Sequence, residues 1–290
     1  MMELETLYKT YQPLLFSIAY RMLGSVSDAE DIVQDLFLRA EQLDTEKIND
    51  IKAYLTKMTA NRCLTFLKSA RKRREIYTGP WLPEPQINQL NQPAERAEAE
   101  ETVSYAFLVL LELLSPIERT VFVLRESFEY DYNEIARMID KTEVNCRKIY
   151  SRAKRKLEND TPVHPENTER VNDLAKTFIH ASKTGNFEGF INILTEDVVL
   201  ITDGGGKVRS ALNPIVTKQR VTAFINGISS KGSFSGELYP VIVNSQRGIV
   251  QVKEDRLIRV ICFGMDSTQK NIQRIFIVSN PDKLKHIQLP

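Results

Sequence analysis

The stretch from Tyr130 to Leu157, YDYNEIARMIDKTEVNCRKIYSRAKRKL, constrains this chain more than any other. Ile135, Ala136 and Ile139 mark the apolar edge of one short helix. Cys146, Ile149, Ala153 and Leu157 mark that of a second, at intervals of three and four. Asp140-Lys141-Thr142 interrupts the pattern, and the Thr142 hydroxyl is placed to cap the second helix. Arg147, Lys148, Ser151, Arg152, Lys154, Arg155 and Lys156 project from the other faces, and no acid occurs between Val144 and Leu157. A helix buried on one side and cationic on the other suits a major groove. Ala136 leaves room for two helices to cross closely. The expected unit is a helix-turn-helix.

Net charge alone would hide this. Lys and Arg number 39 against 38 Asp and Glu, a formal charge of +1. The charges are segregated instead: residues 61–74 and 144–157 are basic, whereas Asp28 to Asp50 is mostly acidic. At 290 residues the chain is expected to form two or three domains. Cys63, Cys146 and Cys262 show neither metal-ligand nor disulfide spacing, which fits a reducing, cytoplasmic setting. Neither a signal peptide nor a membrane span is expected, and no cofactor or metal.

Ahead of the basic motif, Leu4 to Met22 carries a helical apolar pattern that includes Pro13. Gly24-Ser25-Val26-Ser27 ends it, with Ser27 expected to cap the next helix. In DAEDIVQDLFLRA, Ile32, Val33, Leu36, Phe37 and Ala40 form the buried side, while Asp31, Gln34, Asp35 and Arg39 are exposed. In Ile51 to Arg74, a stripe of Asn61, Arg62, Thr65, Lys68 and Arg71 borders an apolar core. Residues 76–100 read as a linker without regular structure, since Pro80, Pro83, Pro85 and Pro93 lie there with Gly79. Its WLPEP segment, Trp81 to Pro85, holds the single tryptophan, whose large apolar area favours docking. A helix is expected from Ala94 to Leu114.

Beyond Asp160 to Pro165 the pattern turns mixed. Helices are predicted at Thr168–Thr184, Phe187–Leu194 and Pro214–Ser229. Strands are predicted at Val198–Thr202, Gly236–Val243, Gly248–Lys253, Leu257–Phe263 and Asn271–Val278.

With Leu114-Ser115-Pro116-Ile117-Glu118-Arg119 before it, the basic motif resembles region four of bacterial RNA polymerase sigma factors, more narrowly the extracytoplasmic-function group. Two departures stand out: Asp140-Lys141 replaces the usual Gly and apolar residue of the turn, and Val144-Asn145-Cys146 replaces Gly-Thr-Val. DAEDIVQDLFLRA and the helix after it resemble region two. The resemblance implies that Arg147, Lys148, Ser151 and Arg152 face a minus-thirty-five element, and that Asn61, Arg62, Thr65 and Lys68 face a minus-ten element. Leu43 to Asp50 would form the pocket for an extruded base. Asp31, Gln34 and Asp35 would dock on the clamp helices of the polymerase's largest subunit, with region four on the flap.

The last segment resembles the SnoaL-like cone, and DGGGKV (Asp203 to Val208) and NPDKL (Asn280 to Leu284) match motifs of sigma factors that carry it. The expected fold is therefore multidomain: two all-α sigma domains, 1–75 and 101–160, and an α+β SnoaL-like domain, 165–290, with a curved antiparallel sheet. Trp81, Asp203, Gly204, Gly205, Gly206, Asn280, Pro281 and Asp282 are its expected regulatory contacts. The expected partners are core RNA polymerase and promoter DNA, with a small ligand in the cone as an open alternative and no membrane.

Two rivals remain. One is a helix-turn-helix regulator with a metabolite-binding domain. The other is a SnoaL-like enzyme with a DNA-binding appendage, using groups such as His180, Asp203 or Tyr239; no catalytic set is expected.

Overall fold

A computed structural model describes residues 4–40, 48–74, 77–88, 103–158 and 168–287. The pocket loop expected at Leu43 to Asp50 falls largely outside these residues. So do the side chain of Arg71 and the first part of the helix expected from Ala94 to Leu114, whose described part is helical over Tyr105–Leu111. The chain divides into two compact units, Met1–Ile76 with Leu110–Asp160, and Tyr77–Val109 with Thr161–Pro290. The linker expected at 76–100 thus belongs, where described, to the C-terminal unit.

The first unit is helical: α1 (Leu4–Leu23), α2 (Val26–Ala40), α3 (Ile51–Arg74), part of α4 (Tyr105–Leu111), α5 (Pro116–Glu126), α6 (Tyr132–Met138) and α7 (Glu143–Glu158). Leu15, Ile18 and Met22 of α1, Leu36 of α2, and Ala60 and Cys63 of α3 are all fully buried. The cap of helix α2 lies two residues before the expected one. Ser25, not Ser27, accepts from the Asp28 N–H at 3.2 Å, because the buried Val26 joins the helix and moves its start back.

Local chemistry sets the later boundaries. The Glu118 carboxylate accepts from the Ser115 N–H at 2.9 Å and its hydroxyl at 2.7 Å, closing the start of α5 behind Pro116. Asp131 and Glu134 form the reciprocal capping box of α6, at 2.7 and 2.8 Å. Thr142 caps α7, accepting from Asn145 N–H at 3.3 Å. Asp140 stands in the turn at φ 53°, the left-handed conformation that favours glycine and that Asp is among the few others to tolerate.

The second unit is the SnoaL-like α+β domain: α8 (Thr168–Thr184) and α9 (Glu188–Asn192), then β2 (Leu194–Asp203), β3 (Ile215–Val216), α10 (Lys218–Ser229), β4 (Glu237–Val243), β5 (Gln246–Lys253), β6 (Arg256–Met265) and β7 (Ile272–Val278). Residues Ile87–Asn88 of the linker add a strand, β1. The sheet order is β1-β4-β5-β6-β7-β2-β3, antiparallel except where β2 runs parallel to β7. Hairpins at Asn244-Ser245 and Glu254-Asp255 turn through paired positive φ values, as two-residue loops require.

Ile261 and Phe263 of β6 face the helices, with Phe178, Phe190 and Ile225; Val260 and Cys262 face a second core with Leu82, Tyr105 and Leu284. Both faces are covered, so β6 reads as a continuous apolar run rather than an alternation. The linker and α4 supply that second cover: the Tyr105 N–H donates to Gln246 at 3.0 Å and its hydroxyl to the Pro83 carbonyl at 2.7 Å.

Two elements differ from expectation. Ile87–Asn88 pairs with Ile242–Val243, although the linker's prolines argued against regular structure; Pro80, Pro83 and Pro85 precede the strand, Pro93 follows it, and none withholds a ladder donor. The helix expected from Pro214 begins at Lys218, because Ile215–Val216 pairs with β2 and Thr217 turns at φ 84°. No helix among the described residues is long and apolar enough to cross a membrane.

Candidate nucleic-acid interface

On α7, Cys146, Ile149, Ala153 and Leu157 are buried against the rest of the first unit, so the cations between them turn outward. Lys148, Ser151 and Arg152 are exposed. Arg147 is also exposed but engaged: its guanidinium bonds Glu143 at 2.5 and 3.2 Å and lies 4.6 Å from the Tyr132 ring centre. The Tyr150 hydroxyl donates to Glu126. Lys156 leaves the outward set and reaches back 2.7 Å to Glu118. Burial works against the Glu118 charge, but Lys156 and Ser115 outweigh it and hold the carboxyl below its ordinary value.

Helix α3 carries Asn61 and Arg62 half-buried, with Thr65 and Lys68 exposed. Arg62 lies 3.5 Å from Asp35 of α2, and the Thr65 hydroxyl donates to the Asn61 carbonyl at 2.9 Å. Asn61 is not open: its amide donates to the Met138 carbonyl of α6 at 2.9 Å. On α2, Asp31, Gln34 and Asp35 share an exposed face with Leu38, itself 66% exposed, an apolar neighbour absent from the expected set.

The C-terminal unit gathers the expected regulatory residues around one buried carboxylate. Asp203, at the end of β2, has a wholly buried side chain paired with Lys283 at 2.7 Å. It also accepts from the Tyr77 hydroxyl at 2.5 Å, the Leu82 N–H at 2.9 Å and the Gly205 N–H at 3.0 Å. Burial, then the bond to Asp203, pushes the Tyr77 hydroxyl well above its ordinary value. Asn280 donates to Tyr77 at 2.8 Å. Trp81 docks as its size demands, its ring centre 3.8 Å from the Lys283 ammonium, which also donates to the Leu82 carbonyl.

The glycines allow this closeness. A Cβ on Gly204 would stand 2.2 Å from the Val208 carbonyl oxygen, and Gly205 turns at φ 59° against Asn280. Pro281 begins a short 3-10 turn, while Asp282 faces outward to Lys207 and Lys285. Reading by motif named Asp282 and missed Lys283 and Tyr77. The available signal was the next residue in NPDKL, the one cation beside an apolar residue that could follow it inward.

The family model described as sigma-70 region 2 matches residues 7–73, and that described as sigma-70, region 4 matches residues 104–157. The ECF RNA polymerase sigma factor SigJ of Mycobacterium tuberculosis is 34% identical over 217 residues, 74% of this chain and 69% of that protein. The probable ECF RNA polymerase sigma factor SigI of the same organism is 31% identical over 193 residues, 66% of this chain and 67% of that one. The crystal structure of the M. tuberculosis SigJ protein superposes with a TM-score of 0.79 at 28% identity, covering 98% of this chain and 99% of its own.

Proposed function

This chain belongs to the extracytoplasmic-function sigma factors of RNA polymerase, and on that premise we propose how its surfaces divide the work of directing initiation. Core polymerase and promoter DNA are the partners that membership implies.

Helix α7 reads the minus-thirty-five element through Lys148, Ser151 and Arg152, with Arg147 joining once it leaves Glu143. The observation that carries this assignment is the split helix, four residues buried and an exposed face without acid from Val144 to Leu157. Asn61, Arg62, Thr65 and Lys68 of α3 face the minus-ten element. Asp31, Gln34 and Asp35, with the exposed Leu38, dock on the clamp helices, and region four on the flap.

The C-terminal domain acts as a regulator by holding the linker. Tyr77, Trp81 and Leu82 meet Asp203, Asn280 and Lys283, so release of the linker requires exposing a charged pair that is now buried. Regulation by contact, rather than by turnover, accords with where the candidate catalytic groups lie. His180 is exposed on α8, Tyr239 is exposed and bonded to Glu237, and Asp203 is held in its ion pair.

The test is reconstituted transcription at fixed core enzyme. Trp81→Ala, Asp203→Ala, and truncations after residue 166 or 279 should each change promoter output relative to the intact chain. Output equal to the parent in all four would remove the regulatory role. Asp31→Lys with Asp35→Lys should weaken core binding by the full chain, and unchanged core binding in the folded double variant would remove the docking role.

A further inference from the structure

We propose that the turn of the helix-turn-helix is an internal competitor for the minus-ten face of α3. The inference rests on the reading of Asn61 given above, and it concerns only the first unit. Met138 ends α6, so its carbonyl has no partner within the helix. The Asn61 amide supplies one, at 2.9 Å. That amide is the kind of group that reads a base edge, and the carbonyl offers what a base edge offers, an acceptor. One helical turn earlier on the same face stands Lys57, whose ammonium lies 3.7 Å from the Asp140 carboxylate. A carboxylate facing a lysine beside the amide occupies the position suited to a backbone phosphate. Together, Met138 and Asp140 present to α3 an acceptor and an anion, the two features it would seek in a nucleic-acid strand.

The departure in the turn explains why this chain can do so. Asp140 stands where the related pattern has glycine, and its φ of 53° is the conformation glycine would adopt. The chain has kept the backbone shape and added a charge, which glycine cannot bring. Two further bonds hold the same closure. Thr56 of α3 and Tyr130, both buried, share a hydrogen bond of 3.0 Å. Arg119 of α5 donates at 2.8 Å to the carbonyl of Met22, one of the otherwise unpartnered carbonyls at the end of α1. Single-stranded DNA at α3 and the turn at α3 therefore exclude each other. Binding the strand must release region four from region two, and by linkage, anything that separates the regions favours the strand.

The experiment locks the contact reversibly. Lys57→Cys with Asp140→Cys is bridged in the full chain by a disulfide-containing bis-maleimide; the native Cys63, Cys146 and Cys262 are buried and shielded. The probe is a fluorescein-labelled 12-nucleotide single-stranded DNA of randomised sequence, read by anisotropy at low salt. The bridged chain is expected to bind at least tenfold more weakly than the same chain after reduction. Equal binding by the bridged and reduced forms overturns the proposal.

Asp140→Asn, which tolerates the same φ, should tighten binding about two- to fivefold, as expected for removing an exposed charge pair and its repulsion of the strand. Should the double cysteine variant fail to fold, the Asp140→Asn chain carries the test alone, and strand binding no tighter than the parent's then counts against the proposal. Asn61→Ala in the reduced, opened chain separates the two readings. Unchanged strand binding there removes Asn61 from minus-ten recognition, while the bridged-against-reduced difference still reports the exclusion.

Discussion

Replacing Lys283 by methionine isolates the value of the buried pair that fastens the linker. Methionine keeps much of the lysine stem's length and leaves the Asp203 carboxylate wholly buried without a cation. Breaking one partner of a buried pair costs about 3–5 kcal/mol. Asp203 keeps three donors, from Tyr77, Leu82 and Gly205, which places the expected loss near the lower end, ~3 kcal/mol. For a unit of this size each kcal/mol moves the melting temperature by about 2–4 °C, so a drop of roughly 6–12 °C is expected. Trp81 reports the local event, since it is the sole tryptophan and lies against Lys283. Its emission should shift to the red at temperatures where the parent is still folded. Adding Asp203→Asn to Lys283→Met removes the uncompensated charge and should recover part of the loss. A Lys283→Met chain melting within 2 °C of the parent (under about 1 kcal/mol), with unchanged emission, would refute the reasoning.

Three further outcomes are expected. Arg152→Ala should relax preference at one base pair of the minus-thirty-five element by about 1–3 kcal/mol, whereas replacing the exposed Lys154, outside the base-reading set, by Ala should weaken all duplexes alike. In the latter variant the log–log salt slope should fall by about 0.9, and competition across promoter variants reads the difference. Glu118 titrates below its ordinary value when folded, so its ionised form stabilises above the ordinary carboxylate range and that stability is lost as pH falls through the lower folded value; Glu118→Gln should flatten melting temperature against pH below about pH 4.3. Gly204→Ala drives a methyl group to 2.2 Å from a backbone oxygen and should cost about 1–3 kcal/mol with a loosened linker, read by the same Trp81 emission.

The legible parts of this molecule are those in which local spacing does the specifying. The buried edge of α7 follows from Cys146, Ile149, Ala153 and Leu157 because a helix repeats every 3.6 residues, whatever it packs against. Thr142 declares its cap within three residues. Trp81 announced docking through its size, though not its seat. Hidden from inspection were contacts whose partners are distant in sequence. Lys283 meets Asp203 80 residues away, and Asn61 meets Met138 77 away; nothing local distinguishes either from a solvated polar residue. The short strands failed for a related reason: Ile87–Asn88 and Ile215–Val216 are two residues each, too brief for a period, and exist because an edge was free to receive them.

The strand contributed by Ile87–Asn88 also fixes an order of events during synthesis. Its partners, Ile242 and Val243, are translated some 155 residues later, and the Lys283 that meets the Leu82 carbonyl comes 201 residues after it. At roughly 5–20 residues per second, the linker waits on the order of 10–40 s for the surface it will occupy. Both sigma regions have left the ribosome well before the restraint exists. A chain interrupted between residues 158 and 283 would carry both sets of helices before Lys283 could meet Asp203 and the Leu82 carbonyl, so a segment made early is fastened only by residues made much later.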